Sequence, residues 1–295
     1  MIDFMKYKFI NLTFSAILIA ISIVSFFVNG LNPSVDFVGG SLVEFSVNSE
    51  VYSKYNNDEI NNQLKMIEGV DIINIQKTFT SSYVVRMKTI DEQKKNEVVA
   101  KLNEMYGQIT LNKFDSVGPI LGRELLFKTA IGVLIATIFI MVYVSWQFKD
   151  RIFGTSAIVA MIHDVIILFG AFSIIGKYWG VEVDTLFVTA VLTTLSFSVH
   201  DTIVVFDRIR ERVSVKLNES LDVSINKAMA QTMPRSLNNS MTIIFMLTAL
   251  FVLGGETIKW FSFALLVGTV CGTYSSPFVA VPLLSIFLKK LKRHK

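Results

Sequence analysis

The chain of 295 residues has little charge, little proline and almost no cysteine. Asp, Glu, Lys and Arg make up 18% of it, against about 25% in ordinary soluble domains. A single cysteine, Cys271, excludes an internal disulfide framework and any cysteine-rich metal cluster. Five prolines and 16 glycines exclude collagen-like and linker compositions. The three histidines are His163, His200 and His294, so the H-E-x-x-H spacing of a zinc protease is absent. No G-x-x-x-x-G-K-[ST] run occurs, and ATP is not the energy source within this chain. Abundant instead are apolar residues, at 52% with mean hydropathy +0.53, which excludes disorder and points to an integral membrane protein.

About 20 apolar residues cross the roughly 30 Å of bilayer hydrocarbon. Six stretches qualify: Phe9–Val28, Thr129–Phe148, Ile152–Ile175, Val183–Phe206, Ser236–Gly255 and Trp260–Leu288. The first is longer than a signal-peptide core and lacks an A-x-A site near Val28-Asn29-Gly30, so it reads as a retained anchor. Residues 1–8, 149–151, 207–235 and 289–295 share one side and carry 15 Lys and Arg. The short loops 176–182 and 256–259 on the other side carry only Lys177 and Lys259. Positive charge stays inside, so both termini are expected in the cytoplasm and residues 29–128 outside. The net charge of +4 and the basic tail at 289–295 are then explained by orientation and lipid headgroups, with no nucleic-acid partner needed.

The long insert is patterned. Ser41–Val47 alternates as a strand, and Asp58–Ile67 reads as a helix capped near Asn57 or Asp58. Val70–Phe79 and Tyr83–Lys88 read as strands about a turn at Thr80-Ser81-Ser82. Asp91–Tyr106 is helical, with Val98, Leu102 and Met105 on one face and Gly107 as its stop. Ile109–Phe114 closes the set. The order β-α-β-β-α-β is the ferredoxin-like arrangement, which names no function by itself. The expected architecture is an α-helical polytopic membrane protein with six transmembrane helices plus an extracytoplasmic ferredoxin-like α+β domain. Its parts are residues 1–28 (N-terminus and first span), 29–128 (external domain), 129–288 (five further spans with a loop at 207–235) and the tail 289–295. In that loop Val213, Leu217, Leu221, Ile225 and Met229 recur every four residues, predicting an amphipathic helix at the membrane surface that Met233-Pro234 ends.

Ionisable groups within spans are costly and usually functional. His163-Asp164 lies in the third span and His200-Asp201 in the fourth. Adjacent side chains on a helix point about 100° apart, so each is expected to find a partner on another helix. His163 falls roughly 16 Å into its span at 1.5 Å per residue. Arg235, just before the fifth span, is placed to reach the Asp201 region. A carboxylate subject to both desolvation and a nearby Arg can take and release protons. That chemistry suits a proton relay, and a structural polar link between spans is the alternative. Ser196 and Ser198 near His200 read as packing residues rather than as a protease nucleophile. Gly268 and Gly272 form a G-x-x-x-G that permits close helix approach, extended by Ser275-Ser276-Pro277, and Cys271 there reads as packing. After the first span, Gly39-Gly40 in Asp36-Phe37-Val38-Gly39-Gly40 suggests a turn or a close backbone approach.

These segments together resemble the SecF family of the bacterial Sec protein-export machinery over nearly the whole chain. The resemblance is carried in order by Val35-Asp36-Phe37-Val38-Gly39-Gly40, Val117-Gly118-Pro119, His163-Asp164-Val165, Val183-Asp184, the run from Asp201 to Glu211, and Met233-Pro234-Arg235-Ser236-Leu237. It implies a subunit of the resistance–nodulation–division superfamily that pairs with SecD, associates with the SecYEG translocon and often YajC, and engages an emerging preprotein. It implies use of the proton motive force to complete export across the cytoplasmic (inner) membrane, with Asp201, Arg235 and the recurrent pair His163-Asp164 in proton coupling. No cofactor, metal or catalytic reaction is implied. His200 replaces an Asn frequent in the family, which places a second titratable group beside Asp201; Ser34 stands where the first Gly of G-x-D-F-x-G-G usually lies. Six spans are half of the superfamily's usual twelve, so a second six-span chain is expected as a pseudo-twofold partner. A scaffold that moves no protons is the competing reading.

Overall fold

The computed structural model describes residues 3–48, 52, 55–77, 81–148, 150–215 and 219–293. They form two compact units. One comprises residues 1–31, 132–177 and 186–295, and the other residues 32–131 and 178–185.

The second unit is α+β. Its strands are β1 (Gly40–Ser46), β2 (Ile72–Lys77), β3 (Ser82–Met87) and β4 (Thr110–Val117). Their order in the sheet is β2-β3-β1-β4, antiparallel throughout, with a bulge in the β1–β4 pairing at Glu44/Phe45. With α3 (Asn57–Leu64) and α4 (Glu92–Tyr106) this is the ferredoxin-like arrangement. The strand alternation decides which face the helices cover. Val43, Phe45, Val85 and Met87 pack with Ile60, Leu64, Val98 and Leu102 into one core. Phe45 stacks on Tyr83 with ring centroids 5.3 Å apart. The α3 cap is Asn56 rather than Asn57 or Asp58: its side chain accepts from Glu59 N, and Glu59 reaches back to Asn56 N. Asp91 caps α4 by accepting from Lys94 N, and Gly107 ends it. In the expected hairpin turn Ser82 already belongs to β3. Thr80, and Thr78 and Phe79 at the end of the expected strand, lie outside the described residues.

The segment 178–185 joins this unit. Val183 bridges Pro33 in parallel, with Ser34 N donating to Val183 O at 2.9 Å and Val183 N to Asn32 O at 2.7 Å. Asp184 therefore precedes the fourth span, which begins at Thr185. Arg86 on β3 pairs with Glu182, both largely buried. Burial pushes the Glu182 carboxyl above the usual carboxylate range, and the Arg86 guanidinium opposes that push without reversing it.

The other unit holds long helices. Among the described residues, six helical segments are long and apolar enough to cross a membrane. They contain α1 (Lys8–Asn29), α5 (Pro119–Gln147), α6 (Arg151–Trp179), α7 (Thr185–Val215), α8 (Leu221–Leu253) and α9 (Glu256–Ser275), the last continuing through a π-helical turn (Ser276–Ala280) into α10 (Val281–Arg293). Small residues set the closest approaches. A Cβ on Gly170 of α6 would lie 2.5 Å from the Ser22 Cα of α1, and one turn away Ser25 and Ser173 hydroxyls meet at 3.0 Å.

Two local expectations are overturned. The helix does not stop at Met233-Pro234, because α8 runs from Leu221 through Pro234 to Leu253. A proline costs one amide bond and a clash, and a long packed helix absorbs both. Nor is there a separate surface helix over 213–229. Leu221, Ile225 and Met229 form the first turns of α8, with Ile225 and Met229 fully buried beside Phe206, Ile209 and Met5. The N-terminal turn (Phe4–Tyr7) covers them: Met5 N donates to Asn226 Oδ1 at 3.1 Å, and Asn226 Nδ2 donates to Asp3 Oδ1 at 2.7 Å. An apolar stripe at helical spacing marks a buried face, and here that face meets protein. Val213 belongs to α7, and Leu217 lies outside the described residues.

Candidate functional site

In the α+β unit, Asp36-Phe37-Val38-Gly39-Gly40 makes a corner. Ser34 caps the short turn α2 (Val35–Val38) by accepting from Asp36 N, and Phe37 is buried. Asp36 Oδ2 accepts from the Thr185 hydroxyl at 3.2 Å. Gly39 has φ +77°, and a Cβ there would lie 2.6 Å from the Pro119 Cα. A Cβ on Gly40 would lie 2.8 Å from the Met87 carbonyl oxygen. Both glycines are thus placed where backbone passes against backbone.

In the helical unit, Asp201 of α7 is partly buried. The Ser236 hydroxyl of α8 lies 2.7 Å from its Oδ1 and 2.6 Å from its Oδ2. The partner expected from the sequence was Arg235. Among the described residues Arg235 forms no ion pair with Asp201, and its side chain is exposed. One residue is about 100° of helix, so the face of α8 that carries Ser236 toward α7 turns Arg235 away. Asp201 opens onto a cleft of about 20 Å³, close to the space of one water, which His200, Asn239, Ser240, Thr269 and Thr273 also line. The Thr273 hydroxyl donates to Ser240 at 2.7 Å, so α9 meets α8 beside the cleft.

His163 and Asp164 of α6 are both buried, at 2% and 0% exposure. Contrary to the expectation from helix geometry, they bond to each other, with His163 Nδ1 2.9 Å from Asp164 Oδ1. The 100° separation governs Cβ directions, and an imidazole is long enough to swing back across it. Asp164 also finds partners on two other helices. Its Oδ2 accepts from Ser198 of α7 at 2.5 Å and from Ser275 of α9 at 2.7 Å. One helical turn beyond Ser198, Thr202 and Ser276 hydroxyls lie 2.9 Å apart at the start of the π-helical turn.

The glycines of α9 sit on the same seam. A Cβ on Gly268 would collide with the Thr194 side chain, and one on Gly272 would lie 3.3 Å from the Ser198 Cα. Side by side, α7 and α9 thus bring Ser198 and Ser275 to Asp164 on one flank of α7, while Asp201 meets α8 on another. The serines were not singled out in the sequence as partners of either carboxylate. Hydroxyls are common in membrane helices, and only the helix rotations show which of them face a carboxylate.

A six-span bundle with ionisable groups held between its helices, joined to a ferredoxin-like unit, defines a multi-pass membrane protein with a buried polar centre. The profile of the SecD/SecF protein-export membrane protein C-terminal family matches residues 97–290, and that of the SecD/SecF GG motif matches residues 24–51. The chain belongs to the SecD/SecF family. It is 38% identical to a protein translocase subunit SecF of Thermobaculum terrenum, over 96% of this chain and 93% of that one. Against a protein translocase subunit SecF of Helicobacter pylori J99 the identity is 33%, over 95% and 85%. The crystal structure of SecDF from Thermus thermophilus, a translocon-associated membrane protein, superposes with a TM-score of 0.82 at 27% identity, covering 98% of this chain and 39% of that chain. This chain therefore spans well under half of the solved SecDF chain.

Proposed function

We propose that this chain is the SecF-type subunit of a Sec protein translocase, working with a SecD partner to draw on the proton motive force and complete preprotein export across the cytoplasmic membrane. Near full-length similarity to proteins named as SecF supports the translocase role. The observation that carries the coupling is Asp201, a carboxylate within a span, met by the Ser236 hydroxyl and open to a small polar cleft. A scaffold could fill this place with Leu and Ala at less cost. SecD supplies the remaining half of a twelve-span assembly, consistent with the 39% of the solved SecDF chain covered here. SecYEG, YajC, the emerging preprotein and membrane lipid are its further contacts. The asymmetry of Lys and Arg supports a cytoplasmic side for both termini and an external side for the α+β unit. Among the residues, Asp201 carries the proton, and Arg235 meets the partner or the solvent path rather than Asp201 itself.

The test is export of a secreted reporter in cells carrying Asp201→Asn, at normal membrane level and with normal partner assembly. Asn keeps the size and hydrogen bonding but does not titrate. Export should fall to the level of a deletion. Normal export would make Asp201 a structural polar group and favour the scaffold.

A further inference from the structure

The pair His163-Asp164 holds more than a link between helices requires. Asp164 has its acceptor capacity spent in a particular way. Oδ2 takes two serine hydroxyls, from Ser198 and Ser275, and Oδ1 faces His163 Nδ1. An ionised carboxylate only accepts, so with Asp164 charged, Nδ1 is the ring atom that carries the hydrogen. The other ring nitrogen then presents a lone pair. His163 Nε2 is buried and has no hydrogen-bond partner among the described residues. A buried acceptor left open in this way is costly unless it is used.

We infer that His163 Nε2 is a second proton-accepting site, separate from Asp201, with Asp164 as its fixed counter-charge. It deepens the proton-coupled reading above and rests on it. The balance is simple. A proton arriving from the aqueous phase adds to the Nε2 lone pair, Nδ1 keeps its hydrogen on Asp164, and no bond between heavy atoms changes. The dyad passes from net charge −1 to 0, from neutral imidazole with carboxylate to imidazolium with carboxylate. In a medium of low dielectric the neutral total is the form that a contact ion pair supports. Ser198 and Ser275 hold the carboxylate from α7 and α9, so the charge state of the dyad bears on the packing of three helices at once. Cys271 of α9 is a titratable side chain on a helix packed beside the dyad, and among the described residues no Lys, Arg or second acidic group pairs with either member of it.

The chain has only three histidines, which makes the test direct. The full chain labelled with ¹⁵N-histidine in lipid nanodiscs gives three imidazole spin systems, and His163→Gln assigns one by its loss. At neutral pH His163 should show the Nδ1–H tautomer with a bare Nε2, opposite to the usual preference of a free imidazole. On acidification Nε2 should gain a proton while Nδ1–H is retained. Asp164→Asn keeps an acceptor for Nδ1–H but removes the counter-charge, so the imidazolium signal should be lost at the pH where the parent shows it. A bare Nδ1 at neutral pH, an Nε2 that stays unprotonated until the protein unfolds, or an Asp164→Asn variant that titrates like the parent would each overturn the inference. These readouts do not depend on export. Loss of the titration leaves the Asp201 reading standing, and normal export in Asp201→Asn leaves the dyad standing as a protonation site without a transport role.

Discussion

Gly39→Ala isolates the reason for the paired glycines. At φ +77° and ψ 167° an L side chain is strained, by about 1–3 kcal/mol. The new Cβ also meets backbone, 2.6 Å from the Pro119 Cα and 2.9 Å from the Pro119 nitrogen. Backbone cannot swing aside as a side-chain tip can, and overpacking of this kind costs a further 1–3 kcal/mol or so. Gly107→Ala separates the two contributions, since Gly107 has φ +81° but nothing within 4 Å of its ideal Cβ. Gly39→Ala should therefore exceed Gly107→Ala by about 1–3 kcal/mol, roughly a fivefold to 150-fold difference in an opening equilibrium. Hydrogen exchange of the β1 amides (Gly40–Ser46), in the full chain in nanodiscs, measures that opening. Equal loss of protection in the two variants would refute the backbone clash and reduce the corner to a conformational preference.

Three further outcomes follow from the packing. Gly268→Ala drives a methyl into Thr194, and should lower the thermal midpoint by an amount corresponding to about 1–3 kcal/mol; Thr194→Ala in the same chain should recover part of the loss, and no recovery would show that the two positions do not meet. Because burial raises the Glu182 carboxyl, the folded α+β unit holds that proton more tightly than the unfolded chain does. That contribution is complete below the unfolded value of about 4.3 and is lost as pH rises through the folded value. Glu182→Gln should flatten this fall in stability, measured by exchange at a series of pH values, and an unchanged slope would assign it to other groups. Asn56→Ala removes half of the capping box and should cost about 1 kcal/mol, read as faster exchange in the first turn of α3 with β1 little affected; protection there equal to the parent's would mean that the box contributes nothing.

Local periodicity carried much of the fold. The alternation of Val43, Phe45 and Val47 and the shared face of Val98, Leu102 and Met105 locate the same core that the sheet and helices enclose. Strand order was accessible only as a consequence of the β-α-β-β-α-β sequence, since nothing within one strand states its neighbour. Helix ends were less legible where tertiary contacts outweighed a local signal. Pro234 reads as a stop, yet Ile225, Ala228 and Met229 before it are buried in the core and Ser236 after it meets Asp201, and α8 runs through. Ile225 and Met229 read as one face of a surface helix, because a sequence does not distinguish burial against lipid from burial against the N-terminal turn.

The candidate site divides in the same way. Sequence alone determined that charged groups lie within spans, since a run of apolar residues interrupted by His163-Asp164 or His200-Asp201 is visible without coordinates. It also determined the chain's family, through motifs whose order is a one-dimensional property. Tertiary structure decided the partners. Asp201 meets Ser236 and not Arg235, Asp164 meets Ser198, Ser275 and its own neighbour, and Glu182 reaches Arg86 across about a hundred residues of sequence. Each of these turns on the rotation of a helix or the route of a loop. A rotation of 100° exchanges one residue for the next at no change in hydrophobic pattern, so only the packed helices fix it.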